Sequence, residues 1–275
     1  MAKRFIIGAL ITLVFLSVAR RLSRNNPEDL SVSSGGVEIV HTTVFEHVGG
    51  GSPVIELGVD SSSDVDVELV YRVPGDGEVS AVDMTTSGDG LWRGRLPDLK
   101  KGSKIEYSFL VYPPGSAALR LPESDDSFIL LKYKGHVSTF VLISHVVFMF
   151  AAFFFVIEAG LWSIPLLRGG VDKKKVAVMI RWLLLMTFIG GWPLGFILNY
   201  QRFGVMWEGF PFGYDVTDNK TQVMFFVWAV VALLTWGSFI GKDEEKDRLG
   251  AKGMAAAVLV SVMISLAIFL IPHSI

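Results

Sequence analysis

The sequence predicts a mixed membrane protein: an N-terminal anchor or signal helix, an all-β sandwich, then an α-helical bundle of four transmembrane spans. Three observations carry this. Four long apolar runs follow residue 136, the stretch before them alternates apolar and polar residues, and the 51% hydrophobic content gathers in the second half. A single soluble core would spread its apolar residues more evenly, and 275 residues leave room for about two structural units.

Residues 1–24 form the first element. Phe5 to Ala19 is an apolar run of 15 residues behind Lys3 and Arg4. Two readings stay open here: an uncleaved anchor, or a signal peptide cut after Ser17-Val18-Ala19, which has the small residues of a cleavage site. Arg20 and Arg21, directly after that site, favour the anchor.

Residues 25–135 form the second, an extracytoplasmic domain of short strands separated by turns. Val65, Val67, Leu69, Tyr71 and Val73 fall on one face of a strand, with Asp66, Glu68 and Arg72 opposite. Ile105, Tyr107, Phe109 and Val111 repeat the pattern, and such alternation marks a half-buried strand. Pro74-Gly75-Asp76-Gly77, Ser87-Gly88-Asp89-Gly90 and Pro113-Pro114-Gly115 are turns. About seven strands over about 97 residues suit two packed antiparallel sheets.

Val67-Glu-Leu-Val-Tyr-Arg72, Met84, Asp89-Gly-Leu-Trp-Arg-Gly-Arg-Leu-Pro97 and Ile105-Glu-Tyr-Ser-Phe109 together resemble immunoglobulin-like domains of the fibronectin type III or early-set kind. The resemblance covers about a third of the chain and implies a fold more than a function. Such domains serve as spacers, protein-docking modules or carbohydrate binders. Trp92 is the one Trp of this stretch, and its place on a strand predicts a core residue rather than a sugar platform.

Residues 136–275 form the third element, a four-helix transmembrane domain. Val137–Ile157, Val176–Leu198, Val223–Ile240 and Met254–Ile271 each approach the roughly 20 apolar residues that a spanning helix needs. Lys3, Arg4, Arg168, Lys173, Lys174, Lys175, Arg181, Lys242, Lys246, Arg248 and Lys252 fall on one side. The other side holds Arg20, Arg21, Arg24, Lys132, Lys134, Arg202 and Lys220. The positive-inside rule then places the sandwich, the 199–222 loop and the C-terminus on the outer side of a cell membrane.

The 199–222 loop is the densest stretch chemically. Tyr200, Phe203, Trp207, Phe210, Phe212 and Tyr214 share it with the acids Glu208, Asp215 and Asp218. Interfacial Tyr and Trp, together with capping of the next helix by Thr217, Asp218 and Asn219, explain part of it. The remainder predicts a partner-docking surface built from Trp207, Glu208, Phe210, Phe212 and Tyr214. Asp215, Asp218 and Asn219 also offer oxygens to a divalent metal such as calcium, although the EF-hand pattern is missing.

Ionisable groups within apolar spans are functional candidates by default. His145 is one, as a hydrogen-bonding residue or a haem b ligand, and His136 with His273 is a second candidate ligand pair. Nine residues separate His136 from His145, which turns them to opposite faces of one helix. Glu158 and Arg181 read as a structural pair near one end of their spans. Pro193, within Gly190-Gly191-Trp192-Pro193, predicts a kink.

Composition narrows the function classes. A net charge of −2 without a basic block speaks against nucleic acid as a partner. The absence of cysteine rules out disulfides, thiolate metal sites and thioether-attached haem, and fits a prokaryotic envelope. No catalytic constellation is visible. The expectation is a non-catalytic accessory or scaffold subunit of a prokaryotic membrane complex, with the lipid bilayer and other subunits as partners. The alternatives are a haem- or metal-linked redox subunit and a small transporter or channel using the span broken at Pro193.

Overall fold

The computed structural model describes residues 2–24, 26–124, 126–241 and 243–271. His273, named above as a candidate ligand, and Lys242 lie outside them. The chain forms two compact units. One comprises Asn25–His136 with Gln201–Gly204, and the other Met1–Arg24, Val137–Tyr200 and Val205–Ile275.

The first unit is a β-sandwich of two sheets. One sheet runs in the order β1 (Asp29–Ser34), β2 (Val37–Thr42), β4 (Val54–Ser61), β8 (Leu91–Arg95), β7 (Thr85–Thr86). The other runs β3 (Glu46–Val48), β11 (Ile129–Lys134), β9 (Lys104–Tyr112), β5 (Asp66–Arg72), β6 (Val79–Asp83), with β10 (Leu119–Leu121) also on β9. All pairs are antiparallel except β3 with β11. The alternation expected of β5 and β9 is present. Val67, Leu69, Ile105, Tyr107, Phe109 and Val111 enter one core with Ile39, Ile55 and Leu57 from the facing sheet. Trp92 is half-buried against that core.

His41 and Tyr107 lie among these apolar groups. The His41 Nδ1–H donates to the Glu56 carbonyl at 2.7 Å, so neutral His41 uses Nε2 to accept from the Tyr107 hydroxyl at 2.8 Å. The Val44 amide in turn donates to that hydroxyl oxygen at 3.0 Å. Every buried polar atom of the pair is thereby satisfied.

The short 201–204 segment belongs to the sandwich unit, which no hydropathy pattern announces. The Gly135 amide donates to the Arg202 carbonyl at 2.8 Å. Arg202 also pairs with Glu46 at 3.1 Å, and Lys134 pairs with the same carboxylate. A β-carbon at Gly135 would meet the Gln201 carbonyl, so only glycine admits this approach.

The second unit is helical: α1 (Ala2–Leu22), α2 (Thr139–Leu167), α3 (Lys173–Ile189), α4 (Gly195–Phe203), α5 (Val216–Leu234), α6 (Trp236–Phe239) and α7 (Ala251–Leu270). Residues 201–203 of α4 group with the sandwich. Four helices among the described residues are long and apolar enough to cross a membrane: Lys3–Leu22, Thr139–Leu167, Lys173–Phe203 and Ala251–Leu270. They support a membrane protein. The neighbours alternate in direction. Phe15 stacks on Phe153 at 4.9 Å while Arg4 lies over Trp162, which makes α1 antiparallel to α2. Phe155 faces Trp182 in the α2–α3 hairpin, and Trp228 on α5 donates to Ser265 on α7 at 2.9 Å.

The bounds expected for the Val223–Ile240 span are corrected. Helix α5 starts earlier because Asp215 accepts from the Asp218 amide at 2.9 Å and caps polar residues into the helix. It ends at Leu234, with Thr235 outside the helix. The loop before α7 folds onto this break: the Leu234 carbonyl accepts from the amides of Arg248 and Leu249. A side chain at Gly237 would collide with the Asp243 carbonyl. The apolar run therefore yields a helix that breaks at Thr235 and resumes as the short α6, packed against α3 and α7.

Candidate functional site

The 204–215 connection between α4 and α5 is held by one buried carboxylate. Asp218, on the first turn of α5, accepts from the Glu208 amide at 2.7 Å and from the Asn199 side-chain amide at 3.0 Å. Asn219 accepts from the Phe210 amide at 2.8 Å, and the Glu208 carbonyl accepts from the Asp215 amide at 2.9 Å. Burial raises the Asp218 carboxyl above its ordinary range, opposed by the Glu208 and Asn199 hydrogen bonds. The sequence thus places Asp215, Asp218 and Asn219 where each fixes backbone amides of a tight loop.

That frame sorts the aromatic residues into two sets. Trp207 turns inward: it stacks on Trp192 at 6.3 Å and meets Phe196 edge-on at 5.7 Å. Phe210, Phe212 and Tyr214 turn outward and are 63%, 84% and 91% exposed. Val205, Met206 and Glu208 are exposed beside them. Three large rings on a hydrogen-bonded loop lose little conformational freedom on contact, which suits them to anchor a partner. Such an exposed group marks an interaction site more often than a lone surface ring does.

The residues expected to offer oxygens to a cation are engaged in the loop's own hydrogen bonds, through one oxygen of Asp215, both of Asp218 and that of Asn219. Among the described residues no three His, Asp or Glu side chains gather in a way that could hold a metal ion.

His145, on α2, meets the interrupted third helix. Pro193 has no amide hydrogen to donate, and the helix widens into a π-turn over Gly190–Leu194. The Gly190 carbonyl accepts the Gly195 amide and also the His145 Nδ1–H, at 2.9 Å. A π-turn thus stands where a kink was expected, and His145 braces it. Such a histidine retains one free nitrogen, Nε2, for any further contact. His136 closes the sandwich unit, with its Nε2 close above Gly49.

Glu158 and Arg181 are not paired. Glu158 is fully buried and its Oε2 accepts from the Trp162 indole at 3.2 Å, while Oε1 has no hydrogen-bond partner. It faces Gly8 of α1, where a methyl group would strike the carboxylate. Arg181 is exposed. The sequence offered no sign that α1 would supply the surface opposite Glu158.

A second polar centre escaped the sequence reading. Asp247, with its side chain 1% exposed, pairs with Lys173 and accepts from the Ser238 amide at 2.9 Å. Burial works to raise its carboxyl. The hydrogen bonds from Lys173 and Ser238 outweigh that and hold it below the ordinary range. Lys173 also donates to the Leu249 carbonyl at 3.1 Å. This centre ties the start of α3 to α6 and to the loop before α7.

No protein-family model matches this chain, and no curated protein matches it.

Proposed function

We propose that the protein is a non-catalytic accessory or scaffold subunit of a prokaryotic membrane complex. It docks partners through the outward face of the 204–215 loop and through its β-sandwich. The observation that carries this reading is the loop's division of labour: Trp207 and Asp218 hold the frame while Phe210, Phe212 and Tyr214 stand exposed. Exposed rings on a fixed loop contribute nothing to the packing of this chain, which supports a role in contact with another molecule.

The sandwich is read as immunoglobulin-like, in support of a docking role. The strands that carry the resemblance, β5, β8 and β9, are interior strands of its two sheets. The protein is placed in the cell membrane as a multi-pass protein, with α1 retained as an anchor. Its packed face of Gly8, Thr12, Leu16 and Ala19 supports retention. Helix alternation puts Lys3, Arg4, Arg168, Lys173, Lys174, Lys175 and Lys252 at one end, which supports a cytoplasmic location for that end. The sandwich, the loop and the C-terminus are then outer.

Gentle detergent extraction from native membranes, followed by mass spectrometry of co-purifying proteins, tests the role. Wild-type protein is expected to bring stoichiometric partners, and Phe212→Ala/Tyr214→Ala to lose them while still eluting as one symmetric, later peak. A solitary wild-type protein would overturn the scaffold reading.

A further inference from the structure

We propose that Glu158 is a proton-binding site at the contact of α1 and α2, and that on losing its proton it takes the Arg4 guanidinium in exchange. Two contacts between the helices define the place. Oε1 of Glu158 lies against Gly8, where an added β-carbon would collide with it. The guanidinium carbon of Arg4 stands 4.7 Å from the centroid of the Trp162 ring. Arg4 and Gly8 are one turn apart on α1, as Glu158 and Trp162 are on α2, so each pair shares a helix face.

The carboxyl has no exposed surface, its Oε2 accepts from the Trp162 indole at 3.2 Å, and Oε1 has no partner. Burying an ionised carboxylate with one oxygen unpartnered costs far more than burying the neutral acid. The indole needs an acceptor, so Oε2 is the carbonyl oxygen and Oε1 carries the proton. Arg4 acts on this carboxyl electrostatically, yet the two form no ion pair within 4 Å. The guanidinium rests on the ring instead. Ionisation reverses that preference, because a guanidinium binds a carboxylate more strongly than an indole face. The exchange gives the first turn of α1 a pH-dependent hold on α2.

Other charged groups stand on the elements packed against α2. Helix α1 adds Lys3, which is exposed. From α3, Lys175 has its ammonium 5.4 Å from the Trp162 centroid, Lys173 pairs with Asp247, Lys174 contacts Glu244 at 3.9 Å, and Arg181 is exposed beside Gly241. Helix α7 meets α2 through Val262 at Gly160, and its one charged residue is Lys252 in the first turn. His145, the other titratable group of α2, is bonded to Gly190 at the π-turn.

Infrared spectroscopy of the purified full chain tests this, because a protonated carboxyl absorbs apart from an ionised one. At neutral pH, wild type is expected to show a protonated-carboxyl band that Glu158→Gln lacks and that disappears as the pH is raised. Spectra without that difference overturn the proton site. Arg4→Gln changes a half-buried side chain at the helix start and leaves the carboxyl in place. It removes the charge that favours the ionised form, so the band should persist to higher pH than in wild type. Arg4→Lys should bring the loss back toward its wild-type pH. A band lost at the same pH with and without Arg4 overturns the exchange. An equal shift in Lys175→Gln also overturns it, since the effect then belongs to the general positive field.

Discussion

On β2 of the sandwich, Val37, Ile39 and His41 are buried while Glu38, Val40 and Thr42 point outward. On α2 of the helical unit, the outward residues Phe140, Leu142, Ile143 and Val147 are as apolar as the buried Ala152, Val156 and Ala159. The sandwich separates apolar from polar because water lies on its outside, and expelling water from its core stabilises it. The helical unit makes no such separation along these helices. Its outward rings suit hydrocarbon, and its specificity comes from small residues and polar contacts: Gly8 on Glu158, Gly160 on Val262, Trp228 on Ser265.

The largest contrast is between two phenylalanines. Phe109 is completely buried in the sandwich core, whereas Phe140 is 77% exposed on α2. Phe109→Ala is expected to cost about 3–5 kcal/mol through lost transfer energy and the cavity left behind. Phe140→Ala should stay within about 0.5 kcal/mol in detergent. Denaturant titration of the full chain, followed by circular dichroism, reads both. Equal costs would erase the distinction between the two units.

Polar groups invert the comparison, since in the helical unit they carry more of the structure. Asp247→Ala removes the partner of Lys173 and leaves the Ser238 amide unsatisfied. Breaking a buried ion pair from one side costs about 3 kcal/mol, at the lower edge of the usual range because the Leu249 carbonyl still accepts from Lys173. Lys173→Met/Asp247→Leu should recover most of the loss, because an apolar pair leaves no uncompensated charge. A thermal-shift series in detergent shows whether the double variant recovers. If it were no better than Asp247→Ala, the charge pair would not be what holds the loop.

These contrasts also show what the residues could announce. Alternation along 65–73 and 105–111 announced β5 and β9, because a period of two leaves a mark in every second letter. The docking of residues 201–204 left no mark: it depends on backbone groups and on a missing β-carbon at Gly135. For the Val223–Ile240 run, hydropathy gave an approximate length. The cap at Asp215 and the break at Thr235 set the actual ends of α5. In the loop, composition named the aromatic residues and acids but could not sort Trp207 inward from Phe212 and Tyr214 outward. That choice depends on where Trp192 and Phe196 lie in space. Asp247 was hidden for a similar reason, as one of four acids between residues 243 and 247, with no periodicity to mark the buried one.

The smallest expected effect sharpens the comparison from the sandwich side, where a polar group is buried among apolar ones. Burial lowers the His41 pKa from its ordinary value, only partly opposed by the hydrogen bond to the Glu56 carbonyl. Protonation would make Nε2 a donor, forcing the Tyr107 hydroxyl to turn toward the Val44 carbonyl at 3.4 Å, a long bond. A folded-state pKa below the unfolded one means that the unfolded chain binds the proton more readily. The contribution of neutral His41 is therefore fully present above the ordinary histidine pKa of about 6.5, and is lost as pH falls through that value toward the folded pKa. The sandwich should be less resistant to denaturant at mildly acidic pH than at neutral pH. His41→Phe keeps a ring in the same space but cannot titrate, so it should flatten that part of the profile. It also leaves the Glu56 carbonyl without its His41 donor and the Tyr107 hydroxyl hydrogen with only the long contact to the Val44 carbonyl, so its overall stability should fall at every pH. A profile that kept its slope in His41→Phe would assign the acid sensitivity elsewhere in the chain.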